Sequence, residues 1–382
     1  MERNIYMAEE KLIVSDRPER AANDLTDQIE RVPVIVYRLV LMVSSTNTAD
    51  DDGVMMYDIL TGEYYGQFPN GPGEFNPVSF QNPTALAAGF YAGLPASFVG
   101  CEGYTSPSIS GVPKIMYFNT NGDYNILTWL SSIVVSNCLC YSAGFLYLLT
   151  TAGTVLCFNA NSGAPAGVSG NPGDATFIPA SSLPAGTSYG GLAFSPEVIG
   201  GNLYISSGNE ILIFSAVTGQ QLNTIQYAGF QQPTTLAFNS TGMLYVYDSG
   251  SVLLFNGGTG QPVGTLIPAG TAGIPQGQGG LCVCDWADGP AVYLAVGSTA
   301  GSVWQFDGTT GAFEQVIVPA GSGGLNDPVS IMVGIEVPGQ PLGGLPGIPP
   351  QRGGPPPRRR FPWLRMPWRR KPFIHLRTRS SA

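Results

Sequence analysis

The polar and apolar positions of this chain fall into short runs with a period of two. In residues 233–255 the text reads PTTLAF, NSTG, MLYVYDSG, SVLLF. Each run alternates or is β-branched and aromatic, and each is fenced by Gly, Ser, Asn or Pro, which is the signature of short strands joined by tight turns. Residues 190–214 repeat the order with GGLAF, GNLYIS and EILIF. Residues 279–306 give GGLCVC, AVYLAV and SVWQF, and residues 137–158 give NCLCYSAGFLYLLTTAGTVLCF.

The third run of each set ends in a marker: apolar residues, then Phe or Tyr, then usually Asn or Asp, then a turn closing on Gly. It occurs as VMMYDILTG (54–62), IMYFNTNG (115–122), VLCFNANSG (155–163), ILIFSAVTG (211–219), VLLFNGGTG (252–260) and VWQFDGTTG (303–311). The marker aromatics are Tyr57, Phe118, Phe158, Phe214, Phe255 and Phe306, separated by 61, 40, 56, 41 and 51 residues. The segment after each Gly, such as QPVGTLI or AFEQVIV, supplies a fourth strand. Four strands per unit of this length is the repeat of a propeller blade, and a lone blade cannot bury both faces, so the blades must ring up. Glycine at the turn supplies positive φ, and the Asn or Asp before it can bond the turn backbone.

The expected fold class is therefore all-β: a six-bladed β-propeller of four-stranded antiparallel blades over 32–336. The ends complete the count. DPVSIMVGIE (327–336) reads as a first strand with no blade to follow it, and VPVIVYRLVLMVSS (32–45) as a second strand with no first strand before it. Pairing the two closes the ring and removes open sheet edges. Seven blades, with a degenerate unit in the long 58–115 gap, and a β-sandwich are the alternatives. Gly (51) and Pro (32) are abundant, which disfavours long helices.

PTTLAFNSTGMLYVYDSGSVLLF and GGLAFSPEVIGGNLYISSGNEILIF resemble NHL-type repeats, a six-bladed propeller family, over about 32–336. That resemblance implies a fold and a binding habit. The family includes protein-binding and RNA-binding scaffolds, and related six-bladed propellers include lactonases and lyases. RNA-binding members use a basic face, and the resembling lyases rely on His.

Charge changes the picture. The net charge of −9 is split unevenly. From Leu39 to Gln351 the chain has 18 acids against one base, Lys114, a balance of −17, whereas ten of the 17 Lys and Arg lie between Arg352 and Arg379. The body should repel nucleic acid and anionic lipid, and the end should attract both. The only His is His375, so the body has no Ser-His-Asp or Cys-His arrangement. A calcium-dependent, lactonase-like site is the enzyme option that survives, with Asp248, Asp285, Asp288 and Glu197 as its candidate ligands around the channel. Plain turn and strand-end roles are the competing reading of these carboxylates. Otherwise no cofactor is expected. Asp50, Asp51 and Asp52 read as a solvated hairpin tip or a cation loop. Asn239-Ser240-Thr241 matches a sequon, but reads as a turn between strands. Trp129, Trp286 and Trp304 are core or channel aromatics. The six cysteines form no CxxC, and the pairs Cys138/Cys140 and Cys282/Cys284 should each put both sulfurs on one strand face as buried thiols.

Outside the ring, the first 31 residues hold eight acids and five bases and lack the apolar core of a signal peptide. No stretch reaches the apolar length of a membrane span. Residues 337–357 are a Pro/Gly-rich spacer, expected to be extended. Residues 358–382 form a basic aromatic tail, whose partner-binding candidates are Arg358, Arg359, Arg360, Trp363, Arg365, Trp368, Arg369, Arg370 and Lys371. Its expected partners are an acidic protein surface or neighbours in an assembly, with anionic membrane or nucleic acid as alternatives. The composition points to a non-enzymatic scaffold in a virion or at a cell surface. A metal-dependent hydrolase and a membrane-active effector are the other readings.

Overall fold

In the computed structural model, six four-stranded antiparallel sheets follow one another around a closed circle. The described residues are 38–336 except 47–52, 69–80, 104, 107–108, 111–112, 120–123, 131–134, 170, 172, 186–187, 275–278 and 298–299. The N-terminal segment, the Asp50–Asp52 run, the spacer and the basic tail lie outside them. The chain divides into Met1–Gly344, which holds the sheets, and Leu345–Ala382, which falls wholly outside the described residues.

Blade 1 is built from both ends of the described chain. Its strand order is Ile331–Glu336, Arg38–Ser45, Gly53–Asp58, Tyr64–Phe68. The closing register pairs Val43 with Ile331, Leu41 with Val333 and Arg38 with Glu336. This is the closure the sequence predicts. Blades 2 to 6 start at Gln81, Val135, Tyr189, Pro233 and Gly279, and each runs through four strands in sequence order. The long 58–115 gap holds no seventh blade among the described residues. Its length goes into the long hairpin Gln81–Tyr91/Leu94–Gly103 and a small two-stranded ribbon, Thr105–Ser106 with Ile109–Ser110.

Six buried apolar clusters hold the ring, one at each seam between neighbouring blades. The alternation along a strand decides which seam a residue enters. Leu41 and Val43 face blade 6, while Val40 and Met42 face blade 2. Both faces of each blade are thus covered. That is why the inner strands read as near-continuous apolar runs rather than as a clean in/out pattern.

The marker turns are built as the sequence predicts, with an added feature. Gly62, Gly163, Gly219, Gly260 and Gly311 all have φ between 67° and 72°. In the five marker turns among the described residues, the residue after the aromatic caps the turn. Asp307 Oδ1 accepts from the Thr309 and Thr310 amides, and Asn159, Ser215, Asn256 and Asp58 do likewise in their blades. The addition is a close approach. A Cβ on Gly62 would lie 1.6 Å from the Ile317 carbonyl oxygen, and one on Gly311 would lie 1.8 Å from that of Leu266. Each of these five turns is pressed against the fourth strand of the preceding blade, so glycine is needed for room as well as for its dihedral.

Candidate functional site

The first strand of every blade is the end strand of its sheet, and the six first strands stand around the axis. Equivalent positions on them are Leu86, Leu139, Leu192, Leu236, Leu281 and Ile331, fixed by their pairing to the second strands. All six line an axial cavity of about 250 Å³, whose remaining described wall is Ala, Gly, Cys, Thr, Ser, Met and aromatic residues. One mouth of this channel, at the beginnings of the first strands, is a smaller polar recess of about 80 Å³ lined by Ser188, Gln232, Thr234 and Thr235.

The candidate carboxylates do not converge on this axis. Asp248 ends the second strand of blade 5 opposite Pro233, at the end where the first strands begin. It is buried, and its two oxygens accept from the amides of Gln231 (2.9 Å) and Gln232 (2.5 Å), fixing the link into that blade. Asp285 lies near the other end of a first strand, opposite Pro290, and accepts from the Ser240 amide of blade 5 at 2.6 Å. Glu197 opens the short turn of 3-10 helix Glu197–Ile199, exposed to solvent. Asp288 is exposed in the loop that follows Trp286. Among the described residues no three His, Cys, Asp or Glu side chains gather as a metal site needs. These carboxylates therefore do not fit a common calcium ion.

The cysteines are seam residues. Cys138, Cys140 and Cys157 pack between blades 3 and 4, and Cys282 and Cys284 between blades 6 and 1. Burial pushes the Cys157 thiol up to about 12 and that of Cys284 to about 11, which removes the thiolate that reactivity requires. The sequon-like Asn239 is buried in a turn, its Oδ1 accepting from the Met243 amide. None of the three tryptophans lines the channel. Trp129 is on the outer strand of blade 2, Trp304 donates to Ser302 within blade 6, and Trp286 lines a groove.

That groove is the feature the sequence reading missed. At two junctions a tyrosine on the second strand latches one blade to the next. Tyr204 donates to the Gly257 carbonyl (2.8 Å), and Tyr245 donates to that of Gly308 (2.9 Å). In both, the acceptor is two residues past the marker aromatic of the following blade. At the junction of blades 6 and 1 the equivalent pair is Tyr293 and Ile59. Here the Tyr293 hydroxyl is hydrogen-bonded with Trp286, and a groove of about 310 Å³ opens between the blades. Ile59, Leu60, Trp286, Pro290 and Tyr293 give it an apolar base, and Asp288, Asp307 and Glu314 lie along it. Hydrogen bonds from the Thr310 and Thr309 amides and the Thr310 hydroxyl hold the Asp307 carboxyl below its usual range. The signal available in the sequence was the replacement of the small residue after the marker, Gly257 or Gly308, by Ile59.

No protein-family model matches the chain, and no curated protein does. The solved structures that it resembles share the fold at low identity. A structure of a nidogen/laminin complex aligns at 12 % identity with a TM-score of 0.51, covering 78 % of this chain and 98 % of that one. The periplasmic gluconolactonase of Pseudomonas aeruginosa aligns at 14 % identity and TM-score 0.50, over 78 % and 100 %. A Bacteroides caccae protein of unknown function gives 11 % and 0.50, over 78 % and 99 %. The class is thereby the six-bladed β-propeller.

Proposed function

We propose that the protein is a binding scaffold: a propeller that presents its surface to partners and joins a larger assembly through its basic aromatic segment, residues 358–371. The observation that carries the reading is the axis. Its middle is a ring of one aliphatic side chain per blade, while Asp248 and Asp285 are already committed to backbone amides at opposite ends. Such a wall favours structural closure over acid–base or cation-assisted chemistry. The NHL-like pattern of the repeats and the segregation of charge along the chain support the same role, as does a composition suited to a virion or cell surface.

Titration of the full-length protein with calcium, followed by calorimetry and by turnover of aldonolactones, tests it. The expected result is neither stoichiometric binding nor hydrolysis above the uncatalysed rate. Tight one-to-one calcium binding that Asp248→Asn or Asp285→Asn abolishes would instead establish the hydrolase reading.

A further inference from the structure

The geometry points to the groove between blades 6 and 1 as the docking site for the Arg- and Trp-bearing segment 358–373 of a second copy of this chain. The inference rests on the scaffold reading above and names the partner of that assembly.

Three observations converge. The first is the opening itself. Blades 4 and 5 close onto their successors by a tyrosine latch, and the blade 6 to blade 1 junction does not, leaving a cleft where Leu60 stays half exposed. The second is chemistry. The base is Trp286, Tyr293, Pro290, Ile59 and Leu60, suited to a guanidinium stem or an indole, and Asp288, Asp307 and Glu314 supply negative charge along it. Arginine matches both features, since it stacks on aromatic faces and pairs with carboxylates in forked geometry. The carboxylates do not gather closely enough to hold a metal ion, which favours an extended organic cation. Lys114 is the one base between Leu39 and Gln351, and it is buried in blade 2. The other base in the sheets is Arg38, at the start of Arg38–Ser45, and the ten bases of 352–379 are the chain's largest store of positive charge.

The third observation is where the chain goes. Glu336 ends the first strand of blade 1, and its register partner is Arg38. The same end of the first strands carries Trp286 of blade 6, so the chain leaves the ring on the face where the groove opens. Residues 337–357 then span at most on the order of 65 Å at about 3.1 Å per residue, and RRRFPWLRMPWRRKPF follows. A cationic leash starting on the face that bears a carboxylate-lined cleft can join one ring to the next in a head-to-tail series.

Sedimentation of the full-length protein across a range of concentration and salt tests this. The expected result is concentration-dependent association that weakens as salt rises. It should weaken at least tenfold in the double variant Asp288→Asn, Glu314→Gln. A comparable loss is expected on changing Arg369, Arg370 and Lys371 together to Gln, and a synthetic RRRFPWLRMPWRRKPF peptide should compete. Unchanged thermal midpoints in both variants show that the ring is intact. If the tail variant loses association and the groove variant keeps it, the groove assignment is overturned while the tethering role stands. If neither variant alters association, or the protein stays monomeric throughout, the assignment of a second copy as the partner is overturned. Tail-dependent pelleting with phosphatidylserine vesicles in place of self-association overturns the choice of a second copy.

Discussion

Lys114 shows how one residue can contradict its surroundings. It is the only base in a long acidic stretch, yet its side chain is buried in the third strand of blade 2, with its ammonium 6.0 Å from the centre of the Trp129 ring. Desolvation, opposed in part by neighbouring Cys101, lowers its pKa to about 8 from the usual 10.5. Because the folded value is the lower one, the unfolded chain binds more protons between about pH 8 and 10.5, so this group makes the fold more stable as pH rises through that window. Buried tyrosines such as Tyr204 and Tyr247, whose pKa values burial raises, pull the other way at higher pH. The difference between wild type and Lys114→Met isolates the lysine. We expect Lys114→Met to be the more stable protein at pH 7 and its advantage to shrink toward pH 10.5, as read from urea midpoints. The sequence showed that Lys114 stood alone. It could not show that the residue was buried, because the burial comes from the strand's place in a seam.

At the scale of the element, the marker turn carries most of what was legible. Its aromatic, its Asn or Asp cap and its glycine all lie within nine letters, and local chemistry suffices to predict them. Two further features of the same strands depend on neighbours and left little trace. One is the close approach of each turn glycine to the preceding blade. The other is a bulge near the start of the fourth strand, where pairing skips Tyr65, Leu222, Val263 and Glu314 in blades 1, 4, 5 and 6. A bulge twists an edge strand away from regular pairing and blunts it against foreign strands. The glycine argument has a built-in control. Gly144 also has positive φ, 87°, but a Cβ there meets nothing within 4 Å. Gly144→Ala should cost about 1–2 kcal/mol from the dihedral alone. Gly311→Ala adds a collision with the Leu266 backbone and should cost more than Gly144→Ala by at least about 2 kcal/mol in chemical denaturation.

At the scale of the molecule, the blade count and the closing pair were readable because six markers and two orphan strands favour a closed ring of six over the seven-bladed and sandwich alternatives. The site was not readable in the same way. Asp248 and Asp285 are candidate ligands by residue type and loop position, and the ring sends them to opposite ends of the axis. The groove, by contrast, exists only where blade 6 meets blade 1, and these two blades are joined through residues almost 300 positions apart in the chain. Sequence proximity cannot reveal a cleft made by closure.

The partnering of Arg38 with Glu336 has a topological corollary. Where a cycle is sealed by two extremities lying side by side, no blade is inherently first, and the cut can be moved. Joining position 336 to position 38 through a short Gly/Ser linker and opening the chain in the 275–278 link between blades 5 and 6 should give a permuted protein with the same β-rich circular dichroism spectrum. It should unfold in a single cooperative step, because every seam is still sealed on both sides.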